Sequence, residues 1–243
     1  MVGSRTPAPP AAVWARPGLF AYDTMTLIGP GTWEAARAAV DVALTAVDLV
    51  AGGEPLAYAC CRPPGHHVTR SLYGGSCYLN NAAIAATSLL ERSGGPVAVV
   101  DIDAHHGNGT QELFLARDDV RTVSVHVDPG AGWFPHFLGF AAESDDANLN
   151  LPLAPGTGDD GWLAAVREAA EFAASAQALV VALGVDAAAG DPESPLEVTA
   201  AGYREAGRIL GEVGLPTVVV QEGGYDLATI GPLVVETLTG LAR

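Results

Sequence analysis

Lysine is absent from the chain, and the 12 basic side chains are all arginine. Against them stand 28 aspartates and glutamates, so the formal net charge is −16 at pH 7 with histidine neutral. An isoelectric point near 4.5 argues against nucleic acid as a primary partner, because binding phosphates requires a basic surface. The same charge weakly favours cationic substrates.

Cysteine is also scarce: Cys60 and Cys61 are adjacent, and Cys77 stands alone. They form neither a disulfide framework nor a Cys-x-x-Cys pair, which predicts a reducing, cytoplasmic compartment. The N-terminus lacks the apolar core of a signal peptide. The most apolar long window, residues 35–51, contains charged side chains, so we expect a soluble protein without a membrane partner.

Hydrophobic residues make up 49% of the 243 residues, which is enough for one sizeable core. Residues 1–18 are rich in proline and alanine without periodicity, so we expect a flexible tail there. From residue 19 onward, helical periods alternate with short apolar runs, and no internal repeat is visible. A single domain over residues 19–243 is the simplest interpretation.

Strands and helices alternate along this domain. Helices are predicted over residues 32–50, 79–92, 109–116, 160–176, 199–214 and 229–241. Strands are predicted over residues 56–61, 96–103, 121–127, 178–185 and 216–221. The strand segments are continuous apolar runs, as in strands buried on both faces. The pattern therefore predicts an α/β fold with an open, mostly parallel sheet and helices on both faces.

Polar residues that can bind metals or transfer protons lie at or just after the ends of four of these strands. In chain order they are His66, His67, Asp101, Asp103, His105, His106, Asp186 and the segment 222–225. All six histidines lie between residues 66 and 136. The carboxyl ends of parallel strands meet at one edge of a sheet, where ligands bind, so we expect one shared site there.

The spacing of Asp103 and His105 suits metal binding. In an extended segment, residues i and i+2 point the same way, so this carboxylate and imidazole can bind one cation. Asp186, at the end of another strand, can supply a third ligand, which leaves positions open for water and substrate. The alternative is structural: Asp101 and Asp103 would cap the helix that begins near Asn108.

Several short segments stand out as motifs. They are Arg62-Pro-Pro-Gly-His-His67, Gly74-Gly-Ser-Cys-Tyr-Leu-Asn-Asn81, Asp101–Gln111, Gly184-Val-Asp186 with Gly190-Asp-Pro192, and Glu222-Gly-Gly-Tyr225. In this order they resemble the histone deacetylase and acetylpolyamine amidohydrolase family. Residues 133–139 look most like the bacterial acetylpolyamine amidohydrolase branch. The resemblance implies a three-layer α/β/α fold of the arginase and deacetylase type, and zinc-dependent amide hydrolysis.

Two kinds of metal site are implied by the resemblance. Asp103, His105 and Asp186 match the family's zinc ligands. A bound Zn²⁺ would polarise the amide carbonyl and lower the pKa of water to about 7. Two carboxylates and one imidazole also suit Fe²⁺ or Co²⁺. The backbone around Asp101, Asp103, His105 and Ser124 matches a structural potassium site, K⁺.

The resemblance also implies catalytic roles. His66 and His67 match tandem histidines, of which the second is the general base and acid. Asp101 and Asn108 match the partners that orient those imidazoles. Tyr225 matches the tyrosine whose hydroxyl stabilises the oxyanion, and the two glycines before it allow a sharp turn.

Substrate contacts are implied for Phe134, Gly75, Ser76, Gly224 and Glu193. Phe134 matches one aromatic wall of the acyl-lysine channel. Ser76 stands where the family has Phe or Tyr, which widens the channel and makes acyl groups larger than acetyl plausible. Glu193 resembles the acidic gatekeeper of polyamine-preferring members, and a solvated loop carboxylate is the alternative. The expected partner is a small acetylated amine or an acyl-lysine.

The resemblance implies an opening βα section before the segment matched here, and we expect this chain to lack it. We therefore expect the first strands of the family's sheet to be missing, which would expose an apolar face and an unpaired edge. That predicts low solubility or dependence on a partner, of which a homo-oligomer is one form.

Two other functions compete with the deacetylase. A binuclear manganese ureohydrolase of the related arginase fold needs extra aspartates to bridge its metals, whereas here Asp103-Ala-His105 is followed by His106-Gly107. A truncated, catalytically impaired member of the family would bind metal and ligand without turnover. The tandem histidines and Tyr225 favour the active deacetylase over both.

Overall fold

A computed structural model of the chain describes residues 8–242. Its central sheet consists of β1 (Leu56–Ala59), β2 (Val97–Asp101), β3 (Val120–Val127), β4 (Asn148–Leu153), β5 (Ala178–Leu183) and β6 (Thr217–Gln221). The spatial order is β1-β6-β5-β2-β3-β4, and every neighbouring pair is parallel. The prediction of an open parallel sheet is confirmed.

Helices cover both faces of the sheet and complete three layers. They are α1 (Thr32–Ala51), α2 (Asn81–Ser93), α3 (Asn108–Phe114), α4 (Asp159–Ala173), α5 (Ala200–Gly211) and α6 (Ile230–Leu241). One core lies between the sheet and α1 with α2, and the other between the sheet and α4, α5 and α6. Within residues 8–242, no helix combines the length and the apolarity needed to cross a membrane.

Neighbouring residues of each strand face opposite cores. Val97 and Val99 of β2 pack into the core under α1 and α2, whereas Ala98 and Val100 pack into the core under α4 to α6. Because both faces of the sheet are covered, most positions of a central strand require an apolar side chain. This explains the continuous valine runs in the sequence.

β4 is a strand that the sequence analysis did not predict. It lies at one edge of the sheet and pairs with β3. Its residues alternate asparagine with leucine and include Pro152, so the segment has no continuous apolar run. Asn148 and Asn150 are buried because they bond to Thr122 and Gln111, respectively. Here the polar side chains face inward, the reverse of the usual pattern.

The N-terminal region lies partly outside the described residues, since residues 1–7 of the predicted tail are not among them. Val13–Leu19 forms a 3-10 helix with no buried residue, and Trp14 is 87% exposed. At the sheet edge opposite β4, β1 pairs, within residues 8–242, only with β6. Low solubility and dependence on a partner stay predictions.

Candidate active site

The loops after four adjacent strands bring the predicted site residues together. β1, β6, β5 and β2 are neighbours in the sheet, and the loops after them carry His67, Tyr225, Asp186 and Asp103, respectively. This is the carboxyl edge, where open parallel sheets bind their ligands. Residues that are far apart in the sequence therefore share one location.

Three side chains at this edge place their ligand atoms close enough to share one cation. His105 Nδ1 lies 3.1 Å from Asp103 Oδ1 and 3.0 Å from Asp186 Oδ2. In the described part of the chain, this is the one group of at least three such side chains that could hold a metal. Ligand atoms around tetrahedral zinc are about 3.4 Å apart, given bonds of roughly 2.1 Å. A divalent cation fits after small adjustments.

The backbone at Asp103 and His105 differs from the extended segment that the sequence analysis assumed. β2 ends at Asp101, so both candidate ligands lie in a bend. Asp103 is held there because its Oδ2 accepts the Gly223 N–H at 2.7 Å and its Oδ1 accepts the His105 N–H at 2.8 Å. These backbone donors, not the alternation of a strand, direct the two side chains toward each other.

His105 is oriented by the nitrogen that faces away from the carboxylates. Its Nε2 lies 3.0 Å from the carbonyl oxygen of Glu193. A carbonyl can only accept, so we assign a proton to Nε2, and Nδ1 is the atom whose lone pair a cation would bind. Asp186 is held in turn by the Ala104 N–H, which donates to its Oδ1 at 2.8 Å.

The electrostatics of this group also suit a cation. Asp103 and Asp186 are fully buried, and burial together with the charge of Asp103 raises the pKa of Asp186 to about 6. Burial opposes a charge on His105, but the two carboxylates raise its pKa well above the ordinary value. In the absence of a metal, a proton on the imidazole balances these carboxylates, and a divalent cation would displace that proton and supply the positive charge.

The tandem imidazoles have different partners and opposite pKa shifts. His66 Nδ1 lies 2.9 Å from Asp101 Oδ2, and His67 Nδ1 lies 2.8 Å from Asn108 Oδ1. Burial opposes a charge on His66, but Asp101 and Asp103 raise its pKa to about 10. Burial and the neighbouring His66 hold the pKa of His67 well below its ordinary value. His67 is thus the neutral member, able to accept a proton at Nε2.

The structural alternative for the aspartates, capping of α3, is wrong. Gly107 precedes this helix, and no side chain caps its first turn. Asp101 instead bonds to the His66 ring and accepts the Asp103 N–H at 3.1 Å. Its carboxylate therefore serves the site and not the helix.

Tyr225 enters the site from the loop after β6. Its ring centroid lies 6.3 Å from that of His105, and its backbone N–H donates to Asp191 Oδ2 at 2.8 Å. Gly224 has a φ of +139°, which favours glycine. Partial burial and nearby carboxylates, Asp186 foremost, raise the pKa of Tyr225. The hydroxyl therefore keeps its proton, while the residue is 42% exposed.

The residues expected to contact substrate lie around the His67 ring and at the rim. The Phe134 ring lies edge-to-face against His67 with centroids 4.8 Å apart. Gly75 lies directly against the same imidazole, which a Cβ at this position would hit. Ser76 and Glu193 are exposed. One aromatic side chain and one exposed carboxylate thus border the candidate site.

Two residues ahead of α1 contact the site and were not predicted. The Tyr22 hydroxyl donates to the His67 carbonyl at 3.1 Å, and the Tyr22 ring stacks on Phe134 at 5.8 Å. Asp23 Oδ2 accepts the Gly75 N–H at 2.6 Å. Asp23 also closes an Asx turn, which is the one local signal in this segment. No local pattern in the sequence indicates that Asp23 contacts Gly75.

A second buried polar cluster lies beside the site. The rings of His106 and His126 have centroids 4.6 Å apart, and both side chains are buried. His126 Nε2 lies 2.8 Å from the Gly139 carbonyl. Burial lowers the pKa of His126 to about 4, so this histidine is neutral in the folded protein at pH 7.

We expect His126 to weaken the fold in mild acid. An unfolded histidine has a pKa near 6.5, so between that value and the folded pKa of about 4 the unfolded chain binds more protons. Stability therefore falls as pH falls, by about 2 kcal/mol between pH 7 and pH 5. Urea unfolding at both pH values should show this loss in the parent and a smaller loss in His126→Asn. The exposed-site control His136→Asn should behave as the parent, and equal losses in all three proteins would contradict the prediction.

The sequence matches the histone deacetylase domain over residues 6–241. This range includes every candidate residue described above. The chain belongs to the histone deacetylase family. As a member of this family, the chain is a hydrolase that acts on amides.

Within this family, the chain is similar to acetylpolyamine amidohydrolases. It is 40% identical to that of Mycoplana ramosa, over 98% of this chain and 71% of the relative. It is 42% identical to acetylpolyamine amidohydrolase 1 of Pseudomonas aeruginosa, over 95% of this chain and 68% of the relative. A crystal structure of acetylpolyamine aminohydrolase from Burkholderia pseudomallei matches with a TM-score of 0.85 at 41% identity, over 89% of this chain and 65% of that one. The deacetylase fold is confirmed, and the chain spans about two thirds of these relatives.

Proposed function

We propose that this chain is a zinc-dependent deacetylase that hydrolyses the acetamide of acetylated polyamines or of acyl-lysine to free amine and acetate. The proposal rests above all on one juxtaposition. A neutral, proton-accepting His67 lies beside the cation-binding triad, with its ring centroid 6.1 Å from that of His105. A polarised carbonyl and a base for water are what amide hydrolysis requires.

Proton transfer in this proposal runs through His67. A cation held by Asp103, His105 and Asp186 would act as a Lewis acid toward the amide carbonyl and water. His67 accepts a proton at Nε2 as water attacks the carbonyl carbon, and it donates that proton to the amine nitrogen as the C–N bond breaks. Asn108, 2.8 Å from Nδ1, holds the tautomer that leaves Nε2 free.

Two further groups act on the charge that develops on the carbonyl oxygen. The Tyr225 hydroxyl stays protonated because its pKa is raised, so it can donate a hydrogen bond to that oxygen. Burial opposes a charge on His66, but Asp101 and Asp103 raise its pKa to about 10, so the charged form is favoured and would stabilise the same oxyanion. Removing the Tyr225 hydroxyl or the imidazole of His66 should therefore slow the chemical step.

The metal, the compartment and the assembly belong to the proposal as well. We assign zinc by family resemblance, and the same three side chains would also bind Fe²⁺ or Co²⁺. A structural K⁺ near Ser124 and a homo-oligomeric state stay predictions. The three cysteines are free in the structure, which supports a reducing, cytoplasmic environment.

Acetylated polyamines are the favoured substrates for two reasons. Relatives that are 40% and 42% identical carry the name acetylpolyamine amidohydrolase. The backbone carbonyl of Glu193 holds His105, and the charge of its exposed carboxylate acts on Tyr225. This carboxylate can attract a second ammonium on the substrate. Ser76, which is exposed, leaves room for acyl groups larger than acetyl.

We expect Glu193→Gln to discriminate between cationic and neutral substrates. The amide keeps the size of the side chain and the backbone carbonyl but removes the charge. The kcat/KM for acetylputrescine should fall about 3- to 5-fold, the effect of an exposed charge pair, while that for a neutral N-alkylacetamide stays constant. Glu197→Gln, at another exposed position, is the control. Equal effects on both substrates would remove the gatekeeper role.

The substrate proposal is tested with a panel. Zinc-loaded protein is assayed on acetylputrescine, acetylspermidine, an acetyl-lysine peptide and a peptide with a longer acyl group, each with a chelated control. We expect chelator-sensitive turnover, fastest on the acetylated polyamines. Metal binding without turnover on any substrate would contradict the proposal and favour the catalytically impaired binding protein.

A further inference from the structure

Glu222, the residue that follows β6, is a buried carboxylate to which the mechanism above assigns no role. It is 6% exposed. Its Oε2 accepts two backbone hydrogen bonds, from the Gly65 N–H at 2.6 Å and from the His66 N–H at 3.1 Å. Its Oε1 is buried and, within the described residues, has no hydrogen-bond partner. A buried carboxylate with one satisfied oxygen is costly to keep, which points to a specific task.

The Gly65–His66 turn is fixed from the other side as well. A Cβ at Gly65 would collide with the backbone of Asn81 and Leu79 at the start of α2, so the turn is pressed against that helix. The His66 ring is fixed at Nδ1 by Asp101. The His66 carbonyl accepts the N–H groups of Gly109 and Thr110 in α3, whereas the His66 N–H is tied to the end of β6 through Glu222.

The next residue after Glu222 contacts the candidate metal ligands. The Gly223 N–H donates to Asp103 Oδ2 at 2.7 Å, and Tyr225 follows two residues later. A single short segment after β6 therefore positions the tandem histidines, one candidate metal ligand and the candidate oxyanion donor. Within this segment, the Glu222 side chain is the group that reaches the backbone of the tandem histidines, because it accepts the N–H groups of Gly65 and His66.

We propose that Glu222 is a positioning residue that sets the tandem histidines at working distance from the metal triad through its two backbone hydrogen bonds. This inference rests on the proposed deacetylase function. The positioning role requires an acceptor oxygen at the place of Glu222 Oε2, whereas it does not require the negative charge of the carboxylate. A displacement of catalytic groups by about 1 Å costs on the order of 100-fold in rate.

Two substitutions separate the acceptor from the charge. Glu222→Gln keeps an acceptor oxygen at full side-chain length and removes the charge. Glu222→Asp keeps the charge but withdraws the carboxylate by about 1.5 Å, the length of one C–C bond. The control is Glu112→Asp, the same shortening in an exposed glutamate whose Oε2 accepts the Arg70 N–H at 2.9 Å.

The measurements are kcat and KM on acetylputrescine, bound zinc per chain, and the proton resonance of the His66 Nδ1–H that faces Asp101. We expect Glu222→Asp to lose about 100-fold in kcat with KM and zinc content near parental values, and with a shifted His66 resonance. Glu222→Gln should stay within about 10-fold in kcat with the resonance in place, and Glu112→Asp should match the parent.

Parental kcat and an unchanged His66 resonance in Glu222→Asp would overturn the proposal. A loss in Glu222→Gln as large as that in Glu222→Asp would overturn it too, because charge and not the acceptor would then matter. The Gln variant alone decides the matter if the Asp variant does not fold. If the parent itself has no turnover, the proposed function fails, whereas the His66 resonance still reports on the positioning role.

Discussion

Asp186→Ala is expected to lower the affinity of the chain for Zn²⁺ by more than about 100-fold, since even partners of metal ligands are worth 10- to 100-fold. The reason is that Asp186 supplies one of three converging ligand atoms, 3.0 Å from His105 Nδ1. With two protein ligands left, the chain cannot hold a catalytic metal at low zinc concentration. Turnover at limiting zinc should disappear in parallel.

Calorimetric titration and bound zinc per chain measure this effect. Asp160→Ala, which removes an exposed aspartate in the first turn of α4, is the matched control and should bind zinc as the parent does. Circular dichroism checks that both variants fold. Parental zinc affinity in a folded Asp186→Ala protein would show that the metal, if any, is bound elsewhere.

Tyr225→Phe is expected to keep zinc and to lose about 10²- to 10³-fold in kcat, the usual cost of removing one oxyanion donor. The phenyl ring preserves packing, and the backbone bond of residue 225 to Asp191 does not depend on the hydroxyl. KM should change little, because the lost hydrogen bond strengthens mainly in the transition state.

Tyr73→Phe is the control for this experiment, since Tyr73 lies in a different aromatic pair, stacked on Tyr78. Steady-state kinetics of the zinc-loaded proteins on acetylputrescine should separate the two variants clearly. A Tyr225→Phe protein as active as the parent would remove the oxyanion role, and a variant that also lost its zinc would indicate a structural role instead.

The fold was largely predictable because its central strands are covered on both faces. Burial on two sides demands apolar residues at most positions, so β2, β5 and β6 appear in the sequence as apolar runs with polar residues only at their ends. β4 escaped prediction because it lies at the sheet edge and turns Asn148 and Asn150 inward. Its inward face is stabilised by hydrogen bonds to distant side chains, which no local pattern encodes.

The candidate site was predictable where its functional residues lie close to the carboxyl ends of strands. Asp103, His105 and Asp186 follow predicted strands directly, and the structure brings their ligand atoms together. Tyr22 and Glu222 were given no role because each acts through a contact with residues more than 40 positions away. Such contacts depend on how loops from different strands meet, which the order of strands in the sheet decides.

The most direct test of the account is a zinc titration of metal-free protein with acetylputrescine turnover measured at each step. We predict that activity rises in proportion to bound zinc and reaches its maximum at one ion per chain. A maximum at two ions per chain would favour the binuclear ureohydrolase type of site. Turnover that does not depend on bound metal would contradict the central claim that the triad of Asp103, His105 and Asp186 holds the catalytic cation.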